Sequence, residues 1–170
     1  MSRWLRESEQ ASSPEATGRF FANEPADTPV ERYRVVTEST QERNKALVLR
    51  AFDLLFNKRD YIAAELYWSA HYIQHSAHIA PGREGLFDLV KSAPSTLRYE
   101  SGLILAEGEW VMVHGRFSTF GQTANWVAVD ILRVQDGILM VHWDVLQDEV
   151  TEEQSKSKRP MFGSIFPSYS

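Results

Sequence analysis

The stretch "WVAVDILRVQDGILMVHWDVLQ", residues 126–147, alternates apolar and other residues on either side of Gln135-Asp136-Gly137. Two half-buried strands joined by a tight turn read this way. The turn decides which side chains meet. If Asp136-Gly137 forms a two-residue type I′ turn, Asp130 pairs with Trp143 and Asp144 points to the opposite face. If Gln135-Asp136-Gly137 forms a three-residue loop with Gly137 left-handed, Val134 faces Ile138, Asp130 faces His142, and Ala128 faces Asp144. The second register gathers Asp130, His142 and Asp144 on one face. It leaves Val127, Val129, Ile131, Val141, Trp143 and Val145 on the other. It separates polar from apolar better, Arg133 apart, and is the expected one.

Working outward, "LRYESGLILAEG" and "EWVMVHGRFSTFG" read as two more strands, with turns at 107–109 and 121–124. Upstream the period becomes helical. Ser39 followed by Glu42 forms a capping box that satisfies free amides at a helix start. Leu47, Ala51, Leu54 and Leu55 then recur at helical spacing as far as about Asn57. Asp60 is placed to cap a shorter helix, "YIAAELYW". "GREGLFDLVKSAP" reads as a third helix that Pro94 stops. Helices followed by an antiparallel meander predict an α+β fold with the helices covering one sheet face. The expected divisions are a weakly ordered extension over 1–38 with a short helix around Arg19–Asn23, a domain over 39–150, and a tail over 151–170. The tail either moves or packs Met161, Phe162 and Phe166 onto something.

Composition removes several classes. The chain has 170 residues, long enough for one sizeable core. It contains no Cys, which excludes disulfides, thiolate nucleophiles and cysteine zinc sites. The formal net charge is −5, and no Lys/Arg stripe suggests nucleic acid. No apolar run is long enough to cross a bilayer, and the first residues lack the apolar core of a signal peptide. The expectation is a cytoplasmic protein that binds neither nucleic acid nor membrane.

Two carboxylates and an imidazole on one sheet face can do acid–base chemistry near neutral pH. Neighbouring carboxylates cannot easily both ionise in a low-dielectric site. The same face also fits the solvated side of a one-sided sheet; Leu132 and Met140 on it argue for enclosure. His114 shares a strand face with Met112 and Trp110. "HYIQHSAHIAPG", residues 71–82, places His71, His75 and His78 at spacings that would align on a helix and suggest a metal site. The segment is short and runs into Pro81, so a strand entering a loop is expected. There His71 and His75 lie roughly 13 Å apart, at about 3.3 Å per residue, too far to share one ion.

With these residues in view, "NKALVLRAFDLLFNKRD", "YIQHSAHIAPGREGL", "VMVHGRF", "VAVDILRVQDGILMVHWDVLQ" and "RPMFG" together resemble the SnoaL-like polyketide cyclase family. The resemblance is strongest to its branch labelled for aldol condensation, and covers about residues 40–163. It implies the nuclear transport factor-like fold, in which a curved antiparallel sheet and helices form a cone around a pocket. It also implies a homodimer through the convex sheet face and a reaction without metal or cofactor. The positions matching the family's acid–base Asp and its partner are Asp144 and Asp130. The cyclases often carry His where Asp130 stands, a departure that bears on the substrate.

The resulting expectation is acid–base chemistry, aldol-type cyclisation or isomerisation, on a small apolar carbonyl compound. Asp144 moves the proton, Asp130 and His142 set its environment, and His75 donates a hydrogen bond to the enolate oxygen. His78, His114, Tyr72, Met112 and Trp126 are the expected substrate-binding residues. The alternatives are a ligand-binding or scaffold protein, an epoxide hydrolase-like enzyme drawing on Arg116, and a metal enzyme in which His75, His78 and His114 with an Asp hold a divalent ion.

Overall fold

The computed structural model describes residues 38–120 and 124–169. The expected extension over 1–38, with its short helix, falls almost wholly outside these residues, as does most of the 121–124 turn. In chain order the elements are helix α1 (Thr40–Phe52), a π-helical turn (Asp53–Lys58), α2 (Tyr61–Glu65), β1 (Trp68–Gln74), α3 (Gly82–Ser92), β2 (Arg98–Glu107), β3 (Trp110–Ser118), β4 (Trp126–Gln135) and β5 (Ile138–Asp148). One curved, unclosed sheet has the order β1-β5-β4-β3-β2. The last four strands form the expected antiparallel meander, and β1 joins its edge parallel to β5. Among the described residues, no helix is long and apolar enough to cross a membrane.

The helix starts follow the sequence. Ser39 caps α1 by accepting from the Glu42 amide at 3.2 Å, and Asp60 caps α2 by accepting from the Ala63 amide at 3.1 Å. Val48, Ala51, Phe52 and Leu55 then sit buried against the sheet. The π-helical turn carries the chain past the end of α1 with a wider winding, a feature often found beside sites. Arg59, left-handed at φ 54°, ends it. Asn57 docks the turn onto β2: its Oδ1 accepts from the Tyr99 amide (2.8 Å) and its Nδ2 donates to the Tyr99 carbonyl (3.1 Å).

The Arg59 guanidinium in turn donates to the carbonyls of Val90, Ala93 and Pro94 at 2.6–3.0 Å. It thereby satisfies carbonyls that the end of α3 leaves free, where a cation also suits the helix dipole. Together Asn57 and Arg59 fix the spacing between sheet, π-helical turn and α3, and that spacing is the pocket.

The β4–β5 turn is the two-residue type. Asp136 and Gly137 have φ 51° and 78°, as a type I′ turn requires. Val134 therefore faces Leu139, not Ile138. Between Arg133 and Val134 the register then shifts by one, so that Arg133 faces Val141 and Asp130 faces Asp144. An extra residue on β5, at Met140, makes this bulge. The expected three-residue loop and the Asp130–His142 pairing are thus corrected. The expected division of faces still results, because turn and bulge together restore the parity.

The tail is an arm. Phe162 is buried against Gly102 and His114, and the Arg116 guanidinium lies 4.7 Å from its ring centre. Arg116 also pairs with the fully buried Glu149 carboxylate at 2.7 Å, which accepts from Asn125 at 3.0 Å.

Candidate active site

Asp130 sits mid-strand on β4, between Val113 of β3 and Asp144 of β5. All three point to the concave face. Two residues along β5, His142 shares that face, opposite Leu132. Its Nε2 lies 3.0 Å from Asp130 Oδ1 and its Nδ1 lies 2.8 Å from Gln74 Oε1. Gln74 reaches it because β1 runs parallel to β5 with Gln74 and His142 as register partners. The Ser76 amide also donates to Gln74 Oε1, at 2.9 Å.

Asp130 is 3% exposed and His142 5%. Burial pushes the Asp130 carboxyl above its ordinary value. The His142 hydrogen bond and charge pull it partly back, and the charge of Asp144 pushes it further up. Its second oxygen, Oδ2, is buried without a partner among the described residues. Burial likewise raises the Tyr72 phenol; the Trp68 indole offsets part of this, and Asp130 and Asp144 add to it. Tyr72 is therefore a hydrogen-bond donor that stays protonated.

Asp130, Asp144, His142 and Tyr72 line one cavity of about 50 Å³, room for about three or four waters. Phe52 and Phe56 close it from the helical side, Leu86 and Leu89 from α3, and Phe117, Phe120, Trp126 and Leu146 from the sheet side. Ser76, His78 and Ile79 form its rim. Among the described residues no Lys or Arg lines it, so an anionic ligand would meet carboxylates with no compensating charge from them.

The structure brings Asp130, Asp144, His142, Tyr72, Trp126 and His78 together around this cavity. It does not bring the other three. His75 lies on the convex side, stacked on Trp143 with ring centres 4.4 Å apart. The cause is strand parity: Tyr72 and Gln74 point inward, so His75 points out. Met112 and His114 face outward with their register partners Ile131 and Val129, Met112 being 44% exposed. The expected enolate donor His75 and the expected binders Met112 and His114 are corrected accordingly. Arg116 is also outside the cavity, committed to Glu149 and Glu100. His75 and His114 face away from the cavity that His78 rims. Among the described residues, no group of three or more acidic or His side chains is arranged to hold a metal ion.

Gln74, Ser76 and the two Phe residues of the helical wall had not been expected in the site. Gln74 was within reach of the sequence, since it shares strand parity with Tyr72.

Helices packed on a curved, unclosed sheet, with the pocket between them, form the nuclear transport factor-like fold. The model of the SnoaL-like domain matches residues 48–143, and the chain belongs to that family. Solved structures agree on the fold. A candidate ketosteroid isomerase from Kribbella flavida superposes with a TM-score of 0.59 at 16% identity, covering 76% of this chain and 97% of its own. AclR, a candidate hydroxylase from Streptomyces galilaeus, gives 0.51 at 25% identity over 62% and 79%. A candidate polyketide cyclase from Bacillus cereus gives 0.52 at 19% over 62% and 75%. No curated protein matches the chain.

Proposed function

We propose that the chain is a small acid–base enzyme acting on a neutral, largely apolar carbonyl compound, in an aldol-type cyclisation or an isomerisation. The observation that carries this reading is the direct opposition of Asp130 and Asp144 at the floor of an apolar cavity that, among the described residues, no Lys or Arg lines. In the proposed reaction the Asp144 carboxylate takes a proton from the carbon beside the carbonyl. Tyr72, not His75, donates to the oxygen on which negative charge develops. Asp130, bonded to His142, keeps a second negative charge from forming next to the base. Asp144 then returns the proton to carbon, or to the oxygen of the new alcohol in an aldol closure.

The convex face supports a proposed partnership. Trp110 and Met112 are each 44% exposed and Val145 67% exposed, and Trp143 lies beside Trp110 at 5.7 Å. We propose that two copies pair through this face.

The test is exchange of hydrogens next to the carbonyl. Neutral ketones that raise the melting temperature are incubated with the protein in heavy water and followed by NMR. Wild type is expected to exchange those hydrogens, and Asp144→Asn to bind the same ketones without exchanging them. Equal exchange by both proteins would refute the assignment. The narrowness of the cavity favours a second reading, ligand binding without turnover. Stabilisation by ketones with no exchange in wild type would establish it.

A further inference from the structure

Gln74 Oε1 is approached by two nitrogens, the Ser76 amide at 2.9 Å and His142 Nδ1 at 2.8 Å. An amide N–H can only donate, so the atom facing it must be the carbonyl oxygen of Gln74; Nε2 of Gln74 has no partner where it stands, and exchanging the two atoms would set its NH₂ donor against the Ser76 N–H. A carbonyl oxygen can only accept, so His142 Nδ1 must carry a hydrogen. On the far side of the ring, Nε2 and Asp130 Oδ1 are 3.0 Å apart. Two lone pairs at that distance repel, so one proton lies between them.

We propose that Gln74 is a positioning residue that sets the polarity of a hydrogen-bond chain from the Ser76 amide through Gln74 and His142 to Asp130. His142 is held protonated on Nδ1, and its Nε2 shares a single proton with Asp130. Whichever atom holds that proton, the His142–Asp130 unit carries no net charge. The burial of both residues favours this, since a net charge there would be costly. The negative charge of the site is then concentrated on Asp144. The titratable groups around the His142–Asp130 pair are Asp144 on β5, Tyr72 on β1, Tyr99 on β2, which faces Asp130, and His78 on the rim. None of them is placed by a hydrogen bond to compete with Gln74 for Nδ1. The proposal rests on the acid–base reading of Asp130 and Asp144 for its purpose, but its geometry is independent of turnover.

The experiment is long-range nitrogen–proton NMR of the five imidazoles, with His142 assigned by its loss in His142→Gln. In wild type, the His142 Nδ1 resonance is expected in the protonated range from pH 5.5 to about 8. In Gln74→Leu the ring is expected to switch, with the hydrogen on Nε2 facing an ionised Asp130. In Gln74→Glu, which offers an acceptor at the same place, Nδ1 is expected to stay protonated. A wild-type His142 with a bare Nδ1, or a Gln74→Leu spectrum unchanged from wild type, would overturn the proposal. Should Gln74→Leu not fold, the wild-type and Gln74→Glu spectra decide. A supported chain with no hydrogen exchange at any ketone would leave Gln74 assigned and count only against the enzymatic reading.

Discussion

Replacing Asp144 by Asn is expected to make the protein more stable while removing the proposed proton-transfer activity. Asp130 and Asp144 are direct partners across β4 and β5, where Cβ atoms lie about 5 Å apart. Two full charges at about 5 Å, in an effective dielectric near 20, repel by about 3 kcal/mol. Asp144 is only half-buried, and the proton shared with His142 reduces the charge on Asp130, so about 1 kcal/mol remains to be recovered. The new amide can also donate to Asp130 Oδ2, which is buried without a partner. In a chain of this size about 1 kcal/mol raises the melting temperature by about 2–4 °C. Urea unfolding at pH 7 of wild type, Asp144→Asn, Asp130→Asn and the double variant closes a cycle that isolates the coupling between the two sites. A less stable Asp144→Asn, or a cycle with no coupling, would refute the view that the two carboxylates are held in opposition for chemistry.

Three further outcomes are expected. Because the folded Asp130 carboxyl is raised above 3.8, its proton stabilises the fold fully below that pH. This contribution is lost as pH rises through the folded value, so Asp130→Asn should flatten the fall of unfolding free energy with pH across that window. A Cβ at Gly115 would lie 2.5 Å from Tyr99 Oη and 2.6 Å from its Cε2, while Phe52 and Phe117 pin that ring at 5.1 and 4.8 Å between centres. Gly115→Ala should therefore cost about 1–3 kcal/mol in a thermal melt, and unchanged melting would show that Tyr99 can swing aside. Among the described residues, Glu149→Ala leaves the Arg116 guanidinium with only the exposed Glu100 as a charged partner. It should cost about 3 kcal/mol and speed tryptic cleavage at Lys156 and Lys158, where wild-type resistance would refute the anchoring role.

The fold was legible because its signals are local. The Ser39 and Asp60 caps, the apolar spacing from Val48 to Leu55, and the alternation in the last four strands each depend on neighbours in sequence. The division of the β4 and β5 faces was legible too, because apolar and polar residues must part at a sheet whatever the turn. How that division arises was not. A type I′ turn followed by a bulge gives the same parity as a three-residue loop, and periodicity cannot tell them apart. The parallel docking of β1 was equally hidden, since nothing in "WSAHYIQ" names its partner strand. One error could have been caught: Tyr72 and His75 stand three apart in a strand, so both cannot enter one cavity. Met112 and His114 had the opposite parity to Val111, Val113 and Phe117, which form the buried side, and sharing a strand with pocket residues was no reason to place them inside.

The single extra residue at Met140 has a genetic meaning. With Asp136-Gly137 as the turn and no bulge, Asp130 would stand opposite Trp143, and both His142–Trp143 and Asp144–Val145 would exchange faces. The loss of one codon would thus replace the acidic pair of the pocket floor by a lone Asp130 beside an indole, with Asp144 left in the convex surface. A binder and a proton-transfer enzyme built on this scaffold can stand one in-frame deletion apart, with no substitution at any residue of the site.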